Sequence, residues 1–419
     1  MSMQSITTWT FDPQEPLALT RRFAHLEGTT LLYSGGALDS AQNSFLCLFP
    51  DEKITAPVGS SGWEMLKYKI QMVNGLPIPL WVGYLSYEMG VPSPCYISST
   101  PPCLFYKPTV VIHFDHFSSQ ATLYGHHPVS LDGKEGKKAN SSLHLVASSD
   151  TLETYFEKIA QIKEWILDGE VYQVNLSQQF LVEGNTDPFA LMENIIQKNP
   201  APFTAFINCG DFSIVSSSPE RFLRKQGDLL ETRPIKGTAP RAQTSAQDHL
   251  NQQNLLNSEK EKAELLMITD LMRSDLGKVS LPGTVIARQL YKCESYTNVF
   301  HLLSIIESRV IPSLHPVSII QSLFPAGSIT GCPKLSAMHA INTLEKRSRG
   351  IYCGSIGYFA QNGDFDFNVA IRTLIVHPKS LLLQLGGAIV IDSDPLKEYQ
   401  ETLLKGHTLF HALGIDLPL

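Results

Sequence analysis

Apolar residues along the chain recur mostly in the short runs that are typical of β-strands. Such runs cover residues 203–207, 213–215, 351–359, 367–376 and 381–391. The last three follow one another with short turns, which predicts an antiparallel meander. Helical patterns lie between and after these runs, so we predict an α+β fold with large antiparallel sheets.

The pattern changes its character near residue 150. Residues 1 to about 125 are rich in strand-like runs, whereas residues 129–149 are polar and rich in Gly, Lys and Ser. From about residue 150, apolar residues recur at helical spacing, and Ser149 or Asp150 can cap this helix. We therefore expect an N-terminal region over residues 1–128, a linker over 129–149 and a C-terminal domain over 150–419.

The first of two acidic helices begins after Ser258, which fits the N-cap of a capping box with Glu261. Glu261 and Glu264 lie one turn apart on a helix that is apolar on most of its faces. Burying two like charges without a partner is unfavourable, so we expect a compensating cation. The alternative is that Glu261 serves only the cap.

The second acidic helix repeats this layout near the C-terminus. Asp392 or Ser393 can cap it, and Glu398 and Glu401 share a face with Lys405. A solvated acidic face is the alternative interpretation of either glutamate pair. Together the two pairs offer carboxylates without neighbouring Cys or His, a donor set that suits Mg²⁺ rather than zinc.

One lysine lies in a turn-like segment, Thr-Arg-Pro-Ile-Lys-Gly-Thr at residues 232–238. Pro234 favours a turn and Gly237 lets the backbone pass close to another group, with Lys236 between them. Upstream, Glu220 follows a Ser-Ser-Ser-Pro run. Lys236 is thus a candidate amine nucleophile and Glu220 a candidate acid, with an ordinary solvated loop lysine as the alternative.

Composition and charge exclude several classes of protein. The chain of 419 residues is 43% hydrophobic and 17% charged, carries a net charge of −7, and has no basic stripe of the kind that binds nucleic acid. Its seven cysteines show no C-x-x-C or zinc-binding spacing, which indicates reduced thiols. We expect no signal peptide, no membrane span and a cytoplasmic location.

A series of short motifs runs through the chain in a fixed order. They are Tyr-Gln-Val-Asn-Leu-Ser-Gln (172–178), Ala-Pro-Phe-Thr-Ala-Phe (201–206), Ser-Ser-Pro-Glu-Arg-Phe (217–222), Pro-Ile-Lys-Gly-Thr (234–238), Val-Phe-His-Leu (299–302), Pro-Ala-Gly-Ser-Ile-Thr-Gly-Cys-Pro-Lys (325–334), Ile-Arg-Thr (371–373) and Gly-Gly-Ala-Ile-Val (386–390). In this order they resemble the chorismate-utilising enzymes, which include anthranilate synthase component I, aminodeoxychorismate synthase component I, isochorismate synthase and salicylate synthase. The resemblance is dense over residues 150–419 and loose over 1–125.

The resemblance implies a two-subdomain sandwich flanked by helices, with chorismate bound in the C-terminal domain. Lys236 would be the nucleophile, Glu220 the acid, and Arg372, held on a strand, the partner of a substrate carboxylate. The Mg²⁺ ligands that it implies are Glu261, Glu264, Glu398 and Glu401. The substrate-binding residues that it implies are Arg372, Thr330, His301, Tyr352, Gly386, Gly387 and Lys334.

Two positions distinguish activities within this family. Lys236 resembles the aminodeoxychorismate synthases, whereas the other members generally carry Ala there; Gln173 stands where isochorismate and salicylate synthases place a water-activating Lys. The resemblance therefore implies amination of chorismate by ammonia to 4-amino-4-deoxychorismate, in 4-aminobenzoate and folate biosynthesis.

The sequence shows no glutaminase nucleophile segment, so we expect ammonia from a separate glutaminase subunit or from solution. Anthranilate synthase component I and a catalytically silent, chorismate-binding regulatory subunit are the alternatives.

Two positions also depart from the family pattern. Ala388 replaces a usual third Gly, and its methyl group would crowd a carboxylate there; Tyr33 replaces a Glu of the tryptophan-site segment in anthranilate synthases, so we expect no feedback inhibition by tryptophan.

Overall fold

The computed structural model describes residues 3–35, 38–40, 42–73, 75–92, 94–96, 98–125, 131 and 142–416. Over these ranges the strands are β1 (Gln4–Thr10), β2 (Thr30–Tyr33), β3 (Asn43–Thr55), β4 (Pro79–Leu85), β5 (Cys103–Asp115), β6 (Gln120–Gly125), β7 (Ser142–Ser148), β8 (Gln173–Asn185), β9 (Phe203–Asn208), β10 (Ser213–Ser218), β11 (Arg221–Gln226), β12 (Leu229–Arg233), β13 (Ile235–Pro240), β14 (Ile286–Ser295), β15 (Val299–Arg309), β16 (Gly331–Cys332), β17 (Ser355–Ala360), β18 (Phe365–Asn368), β19 (Thr373–His377) and β20 (Ser380–Ile389). The helices are α1 (Glu15–Phe23), α2 (Ser60–Lys69), α3 (Leu152–Leu167), α4 (Pro188–Lys198), α5 (Ser245–Asn257), α6 (Glu259–Gly277), α7 (Pro316–Leu323), α8 (Lys334–Glu345) and α9 (Pro395–Leu413). Short 3-10 turns cover Tyr87–Gly90 and Gly327–Ile329.

The strands form two large antiparallel sheets that share the long strands β3 and β5. The first sheet runs β1–β6–β5–β3–β2–β9–β10–β19–β20–β8–β7. The second continues from the other half of β5 as β4–β17–β18–β11–β12–β15–β14, with β13 also paired to β15. The predicted α+β fold with large antiparallel sheets is confirmed.

The sheets pack face to face and are covered by helices on both outer sides. Side chains such as Phe45, Ile207 and Ile214 of the first sheet meet Val82 and Ile356 of the second in an apolar core between the sheets. Helices α1, α4 and α9 cover the outer face of the first sheet, and α2, α6 and α7 cover the outer face of the second. This is the helix-flanked sandwich that the resemblance implied.

The start of β8 lies between α3 and α8. Alternate residues of this strand, Val174 and Leu176, pack with Tyr155 and Ile159 of α3 and with Ile341 of α8. Since side chains alternate along a strand, the intervening Gln173 and Asn175 point to the opposite face. The polar face of β8 therefore turns toward the interior, beside the end of β20.

The predicted meander is wrong in its middle part. The apolar run at 367–376 is broken, because β18 ends at Asn368 and β19 begins at Thr373. Strand β18 pairs with β11 and β17 in the second sheet, whereas β19 pairs with β10 and β20 in the first. Val369 and Ala370 are buried at the crossover, so the hydrophobic pattern continues although the chain changes sheets.

The helix predicted near residue 150 is α3, and its cap lies slightly later than predicted. The Thr151 hydroxyl accepts a hydrogen bond from the Thr154 N–H at 3.2 Å, and the Thr154 hydroxyl accepts one from the Thr151 N–H at 2.8 Å. Of the predicted linker, residues 129–130 and 132–141 lie outside the described residues, and residues 142–148 form β7 beside β8. The domain boundaries stay predictions. None of the described helices has the length and apolar character needed to cross a membrane.

Candidate active site

Lys236 lies on a β-bulge between two regularly paired stretches of β13 and β15. Ile235 pairs with Leu303 and Thr238 pairs with His301, and the register shifts between these two pairs. Gly237, inside the bulge, has φ +80°, a conformation that only glycine adopts freely. Bulges of this kind turn a side chain away from the direction it would take in a regular ladder.

The Lys236 ammonium is partly buried and makes one hydrogen bond to the backbone. Its Nζ donates to the carbonyl oxygen of Ser328 at 3.3 Å. Burial lowers the pKa of Lys236 below its usual value, although the carboxylates of Glu264, Glu220 and Glu401 act in the opposite direction. The lysine is thus moved toward the neutral amine, which is the nucleophilic form.

Glu220 lies between β10 and β11 and is only 4% exposed. Its Oε1 accepts a hydrogen bond from the Ser328 hydroxyl at 2.5 Å. Burial raises the pKa of Glu220 to about 7, while the Ser328 hydrogen bond and the charge of Lys236 limit the rise. About half of this carboxyl group is therefore protonated near neutral pH, as a general acid requires.

Gly237 also brings the lysine strand against the first acidic helix. A Cβ on Gly237 would lie 3.0 Å from the Oε2 of Glu261 and 3.1 Å from Leu255. The Ser258 hydroxyl accepts from the Glu261 N–H at 3.4 Å, so Ser258 is the N-cap, but the capping box is only half formed because the Ser258 N–H donates to the Leu255 carbonyl and not to the Glu261 side chain. The carboxylate of Glu261 lies against Gly237 in this arrangement, so a role confined to the cap does not account for its position.

The two acidic helices bring their glutamates together, as the charges that act on each pKa show. Burial raises the pKa of Glu261, and the charges of Glu264 and Glu401 raise it further. Burial also raises the pKa of Glu398, and Glu401 again adds to the rise. The four carboxylates belong to one electrostatic cluster that favours an added cation.

Two groups on α9 and its approach already bind this cluster. The Ser393 hydroxyl donates to Glu398 Oε1 at 2.7 Å, so Ser393 does not cap the helix; the cap is Asp394, whose side chain accepts from Lys397 N–H at 3.0 Å. Lys405 Nζ lies 2.8 Å from Glu401 Oε1 and lowers the pKa of Glu401. Lys405 thus supplies part of the positive charge that the acidic pairs require.

The carboxylate cluster suits a hard cation in its chemistry. Its donors are oxygen atoms of glutamates whose pKa values are raised first by burial and then by neighbouring carboxylates, as at Glu261 and Glu398. Among the described residues, no three His, Cys, Asp or Glu side chains are already gathered as a closed metal-binding group. To coordinate a cation here, the glutamate side chains would have to move closer together than they lie in this structure.

His301 is buried on β15 and is neutral. Its Nδ1 lies 3.0 Å from the hydroxyl of its cross-strand partner Thr238, and its ring meets Tyr296 edge-on at 4.9 Å. Burial and the charge of Arg372 lower the pKa of His301 to about 3. Its Nε2 is buried and has no hydrogen-bond partner within the part of the chain that the structure describes, so this atom is available to a ligand.

Arg372 occupies the crossover between the two sheets, just before β19 rather than on it. Its φ of +51° places a non-glycine residue in the left-handed region, which is a strained conformation. No ion pair of its guanidinium occurs among the described residues, although the group is partly buried, and burial lowers its pKa. A desolvated guanidinium in this state is a ready partner for an anionic ligand.

Tyr352 and the two glycines of β20 lie at the end of the same strand pair. Beyond its pairing with β19, β20 is paired with β8 at Gly386 and Gly387. A Cβ on Gly386 would lie 2.8 Å from the Tyr352 hydroxyl, and one on Gly387 would lie 3.6 Å from Glu398 Oε2. Gly386 thus lets Tyr352 pack closely against the backbone, whereas Gly387 faces the acidic cluster without a close contact.

Two of the predicted substrate-binding residues form hydrogen bonds within the protein. The Thr330 hydroxyl donates to the carbonyl oxygens of Ala326 and Gly327 at 3.1 and 3.2 Å. Lys334 donates to the carbonyl oxygens of Leu323 and Pro325 at 2.7 and 2.8 Å, and its remaining donor reaches Asp275 at 2.5 Å. All three donors of Lys334 are used, so we omit it from the proposed binding set.

Sequence reasoning missed Ser328 and Thr238, although both lie inside the quoted motifs. Ser328 bridges Lys236 to Glu220, and Thr238 lies against His301. The motifs mark Ser328 and Thr238 as notable residues. They do not show which residues from distant parts of the chain each one contacts. A further unpartnered group is Gln173, whose two side-chain polar atoms are buried without a partner among the described residues.

A cavity of about 280 Å³ lies apart from these catalytic candidates. Tyr33, Phe45, His113, Arg221 and Tyr358 are among the residues that line it. Neither Lys236 nor Glu220 reaches it. We therefore locate the active site from the cluster of interacting charged groups and not from the size of a cavity.

Comparison with known proteins identifies the family of this chain. Residues 43–411 match the chorismate binding enzyme family. The chain is 43% identical over 259 residues to aminodeoxychorismate synthase component 1 of Salmonella typhimurium, an alignment that covers 62% of this chain and 57% of that protein. It is 40% identical over 268 residues to anthranilate synthase component 1 of Pseudomonas putida, covering 64% of this chain and 54% of that protein.

Among solved structures, anthranilate synthase component I from Streptococcus pneumoniae superposes with a TM-score of 0.77 at 25% identity, over 88% of this chain and 92% of that one. The chain spans less than two thirds of the length of the curated relatives that it matches. The family match itself extends over most of the sequence. The chain therefore belongs to the chorismate binding enzyme family.

Proposed function

We propose that this protein aminates chorismate with ammonia to give 4-amino-4-deoxychorismate, the activity of aminodeoxychorismate synthase component 1. The observation that carries the proposal is the pairing of Lys236 with Glu220 through Ser328. Burial lowers the pKa of the lysine and raises the pKa of the glutamate, so both shifts favour the uncharged forms that a nucleophilic amine and a general acid require. Relatives with this name at 43% and 44% identity support the same activity.

The first half of the reaction replaces the 4-hydroxyl group of chorismate with a bond to the protein. The Nζ of Lys236 attacks C2, the ring double bond shifts, and the C4–O bond breaks. Glu220 gives its proton to the departing oxygen, so water leaves. The new secondary ammonium then returns one proton to the Glu220 carboxylate.

The second half releases the product. Ammonia attacks C4, the double bond shifts back, and the bond between C2 and Lys236 breaks, with Glu220 supplying the proton that lysine needs to leave as an amine. The new ammonium group at C4 then returns a proton to the Glu220 carboxylate, which restores the acid. Chorismate and ammonia thus give 4-amino-4-deoxychorismate and water, and the enolpyruvyl ether stays intact. A separate lyase would have to remove pyruvate to form 4-aminobenzoate.

Anion-binding groups hold the substrate in this scheme. Arg372 binds a carboxylate of chorismate through its unpaired guanidinium, and His301 offers its free Nε2. Tyr352 and the backbone of Gly386 and Gly387 complete the binding surface in this scheme. The residue after Gly387 is Ala388, which pairs with Asn175 on β8. Its methyl group limits how closely a substrate carboxylate can approach the backbone there.

The four glutamates of α6 and α9 are the proposed Mg²⁺ ligands: Glu261, Glu264, Glu398 and Glu401. When bound, Mg²⁺ supplies a Lewis acid for the ring carboxylate. Without added charge, the cluster is only partly balanced by Lys405 and by Lys260, whose Nζ lies 3.9 Å from Glu264 Oε1.

We also propose how ammonia is bound and where it comes from. The buried, unpartnered amide of Gln173 offers hydrogen bonds to a small neutral nucleophile and contains no base that would activate water. A separate glutaminase subunit would deliver the ammonia. We place the protein in the cytoplasm, where its buried thiols, such as Cys47 and Cys353, stay reduced.

Identification of the product tests this function. Purified protein is incubated with chorismate, Mg²⁺ and ammonium at alkaline pH, and the product is analysed by mass spectrometry, with Lys236→Met as the control. We expect a product that gains nitrogen and keeps the enolpyruvyl group. Anthranilate and free pyruvate would instead establish the second candidate, which the identity to anthranilate synthase component 1 favours. No turnover, even with the glutaminase subunit and glutamine, would refute both and favour a silent chorismate-binding subunit.

A further inference from the structure

We propose that Ser328 is a positioning residue that joins the acid and the nucleophile into one hydrogen-bonded unit. Its hydroxyl donates to Glu220 Oε1 at 2.5 Å, and its carbonyl oxygen accepts from Lys236 Nζ at 3.3 Å. One residue therefore contacts both groups through different atoms. The catalytic effect of Ser328 rests on the proposed function, whereas its two hydrogen bonds are present in the protein without substrate.

The turn that carries Ser328 is held in place from both sides. Ser328 is 5% exposed and lies in the 3-10 turn Gly327–Ile329. Thr330 fixes one end of the turn by donating to Ala326 and Gly327, and Lys334 fixes the preceding segment through the carbonyls of Leu323 and Pro325. The two residues that sequence predicted as substrate contacts thus hold the turn that positions Ser328.

The two hydrogen bonds use different atoms of Ser328, the hydroxyl group for Glu220 and the backbone carbonyl oxygen for Lys236. The Ser328 hydroxyl donates to Oε1 of Glu220 and so fixes the orientation of that carboxyl group. The Ser328 carbonyl oxygen accepts one hydrogen of Lys236 Nζ and so fixes the orientation of that nitrogen. The serine thereby sets the direction of both proton donation and attack.

Several groups face the Glu220 carboxyl and affect its titration. The Ser328 hydroxyl, the charge of Lys236 and the backbone N–H of Ile235 all favour the ionised form. The thiol of Cys353 lies on another side, and burial raises the pKa of this thiol. Loss of the Ser328 hydroxyl removes one of the contacts that favour the carboxylate, so it raises the pKa of Glu220.

The first test measures Glu220 directly in the protein without substrate. Infrared difference spectra follow the carbonyl band of the protonated carboxyl group as pH is raised, and the band that disappears in Glu220→Gln is assigned to Glu220. In Ser328→Ala we expect the midpoint of this band to move upward by about half a pH unit or more, and in Ser328→Thr to return toward the wild-type value. An unchanged midpoint in Ser328→Ala would overturn the proposal.

The second test uses turnover. Ser328→Ala keeps the backbone carbonyl that contacts Lys236 and removes only the hydroxyl group. We expect kcat to fall about tenfold or more with little change in KM for chorismate, and the Glu220 limb of the pH–rate profile to move upward in step with the infrared midpoint. Recovery of kcat and of the profile in Ser328→Thr supports the hydroxyl contact. Equal kcat and equal profiles in wild type and Ser328→Ala would overturn it.

The two tests separate this inference from the proposed function. If the enzyme makes a different product, or none, the infrared shift between wild type and Ser328→Ala is still expected. If Ser328→Ala fails to fold, as judged by circular dichroism, the comparison of Ser328→Thr with Ser328→Cys provides the same measurement with a strong and a weak donor. Equal Glu220 midpoints in those two variants would then overturn the proposal.

Discussion

Replacing Glu220 by Gln is expected to abolish amination while making the folded protein more stable at alkaline pH. Glu220 is 4% exposed, and the charge of Lys236 lowers its pKa less than burial raises it. Burial raises the pKa of Glu220 from 4.5 to about 7, so the folded protein holds this proton where the unfolded chain has lost it. Stability therefore falls as pH rises from 4.5 through 7, because the folded state binds more protons over that range.

The size of the effect follows from the two pKa values. Each pKa unit corresponds to about 1.4 kcal/mol, so the raised pKa of Glu220 lowers the free energy of unfolding by about 1 kcal/mol at pH 5 and by about 3 kcal/mol at pH 8. Gln has nearly the shape of protonated Glu, and its carbonyl oxygen still accepts from the Ser328 hydroxyl. Glu220→Gln should therefore be more stable than wild type by about those amounts.

Urea unfolding at pH 5 and pH 8 measures this difference, and Glu231→Gln provides a control of opposite sign. Glu231 is also buried, but despite desolvation Arg221 and Arg233 lower its pKa to about 2. Its contribution to stability is present above pH 4.5 and is lost as pH falls, so Glu231→Gln should destabilise at pH 8. If Glu220→Gln is no more stable than wild type at pH 8, the carboxyl group is not held in a desolvating site and the argument for its role as an acid fails.

Four further substitutions test other parts of the site. Lys236→Met should lower amination by several orders of magnitude while chorismate still binds in equilibrium dialysis; substantial turnover by this variant would exclude a covalent role. Arg372→Gln should raise KM for chorismate about tenfold to a thousandfold in steady-state assays, because the substrate carboxylate loses a charged partner, and an unchanged KM would remove Arg372 from the binding site. Gly386→Ala should be far more disruptive to thermal stability and activity than Gly387→Ala, because its Cβ would lie 2.5 Å from the Leu176 carbonyl, whereas the Gly387 Cβ meets nothing closer than 3.4 Å; equal effects would contradict the described backbone.

The parts of the fold and site that depend on local pattern could be predicted from the sequence. The N-cap at Ser258 and the helix that bears Glu261 follow from nearest neighbours along the chain. The crossover at Arg372 could not be predicted, because the residues before it are buried and the apolar pattern does not change where the chain leaves one sheet for the other. A run of hydrophobic residues shows burial but does not show which layer buries them.

Contacts between distant segments account for the remaining differences. Ser328 contacts the carboxylate of Glu220, which lies 108 positions earlier in the chain. Lys334 donates mainly to backbone carbonyls, and such contacts cannot be recognised from the identity of the partner residues. The lysine and the acid could be named from their motifs, but their shared partner required the three-dimensional structure. The role of Thr330 as a brace for the turn was hidden in the same way.

Lys236 must form a covalent bond to C2 of chorismate if this site aminates chorismate as proposed. Purified protein is mixed with chorismate and Mg²⁺ without ammonia, quenched, digested, and the peptide that contains Lys236 is analysed by mass spectrometry. We predict a peptide heavier by one chorismate less one water, which is lost when ammonium is added before the quench and is absent from Lys236→Met. Formation of 4-amino-4-deoxychorismate at the full rate with no adduct on Lys236 would contradict the proposed mechanism.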